Sequence, residues 1–308
     1  MISEILIIFM WASLALSFPL AKLSLGYASP AYVIGFRMVL AGLGLLLFQV
    51  VSGHFQEKKG AILPNNRKDW WALLRIALFN VYFAFVPEFW ALQYLGSLKV
   101  TLLYASCPFW SALFSYFLES EKLCKTKKLA LTVGLLGVVP TLLTNSAGEF
   151  TFKTLFSVSL PELVLLGAII SASYAWFEVK TLSARGYSIL SVNGASMLLG
   201  GLFSFLHYFA FNPTSPILPV DNFWSFLGIV SALIILSNVI FYNLYGWLLH
   251  RFSFTFLSFT GFLCPIFGTI YGVTFFGEHF YWLYLVGFLM TFAGLWLFYR
   301  SEHNKVLN

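Results

Sequence analysis

Two side chains carry charge where an apolar chain should carry none. Arg37 lies inside the hydrophobic run 31–52, and Glu88 lies inside the run 70–93. An ionisable group in mid-membrane costs a few kcal/mol at least, so it needs a partner, water or a ligand. Counting back from the ends of their runs at about 1.5 Å per residue puts both roughly 8–10 Å below the same face. Opposite charges at one depth have two uses. They can close on each other as a static ion pair, or they can form two ends of one polar site that binds or gates a zwitterionic or charged solute. Glu88 can also take up and release a proton, which a proton-coupled carrier requires and an exchanger of related solutes does not. Lys22, at the outer end of the first run after Pro19, either snorkels to the interface or adds a cation near that level as a gating group.

The polar and aromatic residues of other runs add candidates. Asn238 and Tyr242 are four apart, and Asn238 and Tyr245 seven apart, so they share a helix face. A polar stripe in lipid must look inward, and together with Asn80 and Tyr82 it is expected to line a central cavity. Trp90, Tyr104, Trp110, Tyr174 and Trp176 are candidate aromatic walls. Aromatic faces beside a carboxylate suit an organic cation. Pro108 and Pro265 fall near the middle of their runs, and each removes a backbone donor and frees a carbonyl one turn earlier. Such breaks are tolerated where a helix lines a cavity or touches a neighbour, so the two prolines are either gating hinges or packing kinks. Glu178 and His207 sit nearer the ends of their runs and read as interface or satisfied buried groups.

Other chemistries find no purchase. The five histidines are scattered, no pair has metal-ligand spacing, and no H-E-x-x-H or Ser/His/Asp set appears, so the reading is not an enzyme, with no metal and no cofactor. Cys107, Cys124 and Cys264 do not make a disulfide set. The start, Met1-Ile2-Ser3-Glu4, lacks the basic region of a cleaved signal peptide, so the first run is expected to stay as a helix.

These residues must be positioned by membrane helices. Of 308 residues, 59% are hydrophobic and only 10% charged, against about a quarter charged in soluble domains. Runs of about 20 apolar residues predict ten spans near 4–23, 31–52, 70–93, 99–118, 128–145, 161–181, 188–211, 223–247, 253–276 and 281–300. With the N-terminus inside, 13 of the 18 Lys and Arg fall on the inner side, three (Lys22, Lys99 and Lys153) fall outside, and Arg37 and Arg75 lie within runs, an N-in/C-in arrangement. The basic residues are thus topology signals, and the net charge of +6 does not point to nucleic acid.

The chain also repeats itself. Val33-Ile34-Gly35-Phe36-Arg37-Met38 returns as Val192-Asn193-Gly194-Ala195-Ser196-Met197, Asn80-Val81 as Asn238-Val239, and Cys107-Pro108 with Glu121 as Cys264-Pro265 with Glu278. A copied unit of five spans enters the bilayer upside down the second time, which is the plan of an alternating-access carrier. The expected units are a first repeat over 1–147, an inverted second repeat over 160–300 and a cytoplasmic tail over 301–308. Arg37 is copied as Ser196, and Glu88 falls near Gly246, so neither charge has a charged copy. Gly134 with Gly137 and Gly287 with Gly294 suit close helix packing, and more weakly a homodimer.

The opening helix from Trp11 to Lys22, Arg37, Pro108 with Glu121, Pro265 with Glu278 and the closing Gly287-to-Gly294 helix together resemble the ten-helix, EamA-type members of the drug/metabolite transporter superfamily, over about 4–300. The resemblance implies an all-α, ten-helix secondary transporter in the cell inner membrane, with a small-molecule substrate held between the two halves. The segment Ser17-Phe18-Pro19-Leu20-Ala21-Lys22 is similar to that of S-adenosylmethionine transporters of obligate intracellular bacteria, which implies uptake or exchange of S-adenosylmethionine and S-adenosylhomocysteine. An amino-acid or drug exporter driven by proton exchange, and a lipid flippase, share the scaffold.

Overall fold

A lipid core offers backbone groups no water, so each span must satisfy its own N–H and C=O groups, which a helix does. The computed structural model describes residues 2–53, 64–118, 124–142, 159–277 and 279–306. These residues are helical apart from short connections, and they form ten columns. The columns are α1 (Ile2–Ser24), α2 (Pro30–Gly53), α3 (Arg67–Leu92), α4 (Ser97–Leu118), α5 (Lys125–Leu142), α6 (Leu160–Ala184), α7 (Ile189–Phe211), α8 (Phe223–Leu248), α9 (254–276) and α10 (Trp282–Val306). Among the described residues, eight helices are long and apolar enough to cross a membrane: α1 to α4 and α6 to α9. The chain is a multi-pass membrane protein.

Polar residues start several columns. Asn66 accepts from the Asp69 N–H at 2.9 Å at the start of α3. Asn222 accepts from Ser225 at 3.2 Å before α8, and Ser253 accepts from Phe256 at 3.1 Å before α9. The Glu162 carboxylate reaches back to the Ser159 N–H at 2.6 Å before α6. Each satisfies a donor that a helix end leaves orphaned.

The two halves of the chain pack on each other in matching pairs. Helix α1 packs on α8 and α9, and α6 packs on α3 and α4. Helix α2 lies along its own copy α7, and α5 lies along its copy α10. Glycine lets both copy pairs approach. A Cβ on Gly42 would sit 2.6 Å from the Leu198 nitrogen, and one on Gly137 would sit 2.8 Å from the Gly287 carbonyl oxygen. The glycines of α5 and α10 are therefore spent inside one chain, which removes the reason the sequence gives for a homodimer there.

The helix irregularities repeat too. Column α3 widens into a π turn at Ala77–Tyr82 and α8 does so at Ile234–Phe241, around the paired Asn80 and Asn238. Column α4 tightens into a 3₁₀ turn at Tyr104–Ser106 and α9 at Thr260–Phe262, just ahead of Cys107-Pro108 and Cys264-Pro265. Single π turns and mid-helix 3₁₀ stretches mark functional sites and hinges. Glu121 and Glu278 lie outside the described residues.

Candidate functional site

A cavity opens at the centre of the bundle, with about 60 Å³ in which the centres of water molecules fit. Seven of the ten columns wall it: α1, α2, α3, α4, α6, α8 and α9. Arg37 and Glu88 both line it, 1% and 3% exposed.

The two charges do not close on each other. Among the described residues they form no ion pair within 4 Å. Arg37 Nε donates to Asn238 Oδ1 at 2.8 Å, and the guanidinium lies over the rings of Phe85 and Phe89, at 5.1 and 5.8 Å. Its Nη2 is buried without a hydrogen-bond partner. Glu88 Oε2 accepts from the Tyr104 hydroxyl. A buried charge without its countercharge is costly by several kcal/mol. The arrangement is therefore a poor static clamp and a ready receptor: an anionic group would complete Arg37, and a cationic one would complete Glu88.

The other residues singled out by sequence fall into two groups. Tyr104 and Tyr242 line the cavity, as does Trp176. Asn80, Tyr82, Trp90, Trp110, Tyr174 and Asn238 stand outside its lining. Asn238 sits behind Arg37 and steadies it. Asn80 holds the Tyr242 hydroxyl, through its carbonyl and its Oδ1, both at 3.3 Å. The Tyr82 hydroxyl meets His207 Nδ1 at 2.5 Å, tying α3 to α7. Trp90 packs against Tyr94 with the rings tilted, and the Trp110 Nε1 is buried without a partner. Tyr174 donates to Glu178 at 2.9 Å, where Glu178 also pairs with Arg75 at 2.8 Å. Lys22 is away from the site, its Nζ donating to the Leu95 carbonyl at 2.7 Å between α3 and α4. Pro108 and Pro265 follow the 3₁₀ turns directly, beside the lining residues Cys107 and Cys264.

Sequence reasoning passed over Trp11, Phe85, Phe89, Ser111 and Ser258 as wall residues. One signal was readable: Tyr104, Cys107 and Ser111 recur at i, i+3 and i+7, a single helix face. The phenylalanines carried no such signal in a chain with 35 of them.

The two-stretch pattern is matched by a known family. The EamA-like transporter family matches residues 1–143 and 159–300. The chain belongs to the EamA-like transporter family. EamA-like relatives include a protein of Chlamydia muridarum named "S-adenosylmethionine/S-adenosylhomocysteine transporter". It is 35% identical over 304 residues, covering 96% of this chain and 90% of that protein. A protein of the same name from Chlamydia trachomatis serovar L2 is 34% identical over 304 residues, covering 96% of this chain and 88% of its own length. A crystal structure superposes with a TM-score of 0.68, covering 96% of both chains at 17% identity, which speaks for the shared fold alone.

Proposed function

We propose that this EamA-like transporter moves S-adenosylmethionine and S-adenosylhomocysteine across the inner membrane by alternating access, with ten spans and both termini inside. The observation that carries the reading is Arg37, with a buried Nη2 that has no hydrogen-bond partner, sharing one cavity with Glu88. S-adenosylmethionine presents a carboxylate for the guanidinium and two cationic centres, its ammonium and its sulfonium, for Glu88 and the aromatic rings. The names of the Chlamydia proteins, alike over nearly the full chain, support the choice of solute. The paired π and 3₁₀ turns supply places where the columns can flex around a fixed site.

The test is uptake of radiolabelled S-adenosylmethionine into proteoliposomes, with and without S-adenosylhomocysteine loaded inside. Saturable uptake that unlabelled S-adenosylhomocysteine competes away is expected. Uptake no faster than in empty liposomes would defeat the proposal. A pH gradient imposed in the same assay separates proton coupling from solute exchange.

A further inference from the structure

The cavity is not uniform along its length. Near Arg37 and Glu88 it is charged. Along α4, from Tyr104 through Cys107 to Ser111, it changes character over seven residues, about 10 Å. Helix α1 shows the same change: Phe18 packs on Tyr104 at 5.0 Å, whereas Trp11, seven residues away, packs on Phe241 and Tyr245 at 5.2 and 6.1 Å. At this second end Trp176 lies 4.3 Å from Tyr245 and 5.0 Å from Tyr242, centroid to centroid. A run of hydroxyls crosses the same wall. Tyr245 meets Ser258 at 3.1 Å, and Ser258 donates to Ser111 at 2.8 Å. Ser111 thus accepts from Ser258, while its own O–H finds no acceptor among the described residues. Ser111, Ser258 and Tyr245 are each no more than 3% exposed. A buried hydroxyl with a free proton, set among tryptophan and tyrosine rings, suits a flat heterocycle with ring nitrogens that accept hydrogen bonds.

We propose that this end is a purine subsite: Trp176 and Tyr245 pack against the base, and the Ser111 hydroxyl donates to one of its ring nitrogens. The subsite rests on the transport reading above, with the amino-acid head at Arg37 and Glu88 and the nucleoside toward Ser111. It makes a separate claim, because a carrier of amino acids alone would need only the charged end.

The experiment measures binding of radiolabelled S-adenosylhomocysteine to the full-length protein in nanodiscs, with methionine and adenosine as displacers. Ser111→Ala and Trp176→Phe are compared with the unaltered protein. Loss of one hydrogen bond is expected to weaken S-adenosylhomocysteine and adenosine about tenfold in Ser111→Ala. Methionine displacement should be unchanged. Trp176→Phe keeps a ring and should give a smaller loss in the same direction. Equal weakening of methionine, or adenosine displacement untouched by either variant, overturns the subsite.

A protein that binds no S-adenosylhomocysteine at all defeats the transport reading instead. The subsite is then judged alone, by binding of radiolabelled adenosine to the full-length protein in nanodiscs. Saturable adenosine binding that Ser111→Ala weakens about tenfold upholds it. No adenosine binding, or binding that Ser111→Ala leaves unchanged, overturns it.

Discussion

The two halves can be compared at one pair of atoms. Asn80 on α3 and Asn238 on α8 occupy the same place in the repeat, each inside a π turn. Asn238 accepts a hydrogen bond from Arg37 on α2. The mirror donor for Asn80 would come from α7, where Ser196 stands in place of the arginine. Ser196 turns back to the Asn193 carbonyl of its own helix at 3.1 Å, and the Asn80 Nδ2 is buried without a partner. The close helix crossing is kept in both copies: Cβ atoms on Gly42 and on its mate Gly201 would meet backbone atoms at 2.6 and 2.8 Å. What the halves share is packing and helix irregularity. What they do not share is charge. A symmetric frame suits a carrier that must open to either side, and a symmetric charge set is unnecessary for a solute that is not itself symmetric.

The comparison breaks most visibly if Arg37 is structural. Arg37→Gln is expected to cut S-adenosylmethionine uptake at least 100-fold, since a carboxylate would then meet no cation in the cavity. The melting temperature should hold or rise, because removing a buried charge without a countercharge relieves a desolvation cost. A fall in melting temperature alongside uptake would make Arg37 part of the frame. Arg37→Lys keeps the charge without the planar fork and is expected to recover only part of the uptake.

Glu88 sharpens the same contrast. Glu88→Gln should reduce uptake by about tenfold, as expected for a lost charge-assisted contact. The pH dependence carries a sign. Protonating Glu88 removes its attraction for a cationic solute, so uptake by the unaltered protein should fall as the pH is lowered. Uptake by the Gln variant should stay low and flat. A variant whose pH profile matches the unaltered protein would take Glu88 out of the transport step.

The shared frame makes the opposite prediction. Gly42→Leu and Gly201→Leu should each destabilise by about 1–3 kcal/mol, the usual range for overpacking, and by similar amounts. Thermal unfolding in detergent checks it. Unequal losses would mean that the α2–α7 contact is not the symmetric element the geometry describes.

Much of this frame was legible in the sequence, and the site was legible only in part. Ten apolar runs, repeated motifs and two unmatched charges are one-dimensional signals, and they located the columns and the residues Arg37 and Glu88. The wall was harder because it depends on helix phase. Asn238, Tyr242 and Tyr245 share a face only on a regular α-helix. The π turn at Ile234–Phe241 alters that phase, so Asn238 faces Arg37, Met38 and Met197 while Tyr242 and Tyr245 face the cavity. Tyr82 and Tyr174 look like cavity aromatics by type, yet their hydroxyls are taken by His207 on a neighbouring helix and by Glu178 one turn along the same helix. Such partners lie more than 100 residues away, as for Tyr82, or depend on an ion pair formed across columns, as for Tyr174. Spacing within one run cannot reveal the His207 or Arg75 partners, although Tyr174 and Glu178 are themselves i, i+4 neighbours.

The asparagines offer the finest discrimination. Asn238→Ala removes the acceptor of a charged donor and leaves Arg37 with one more unpaired N–H. Hydrogen bonds to charged groups contribute about 1.5–3 kcal/mol, against about 0.5–1.5 kcal/mol for neutral ones. Asn80→Ala loses only the long, neutral contact from the Tyr242 hydroxyl, and it deletes an amide nitrogen that has no partner to lose. Asn238→Ala should therefore lower solute affinity clearly, and Asn80→Ala should change it by less than threefold, in the same nanodisc binding assay. Installing the missing arginine, Ser196→Arg, is the complementary step. It would place a second cation against Asn80 and give the second half the charge it lacks, and it is expected to weaken binding of a cationic solute by repulsion. Tighter binding in that variant would mean that the cavity selects for the carboxylate end alone, and that charge asymmetry between the halves is not what sets the choice of solute.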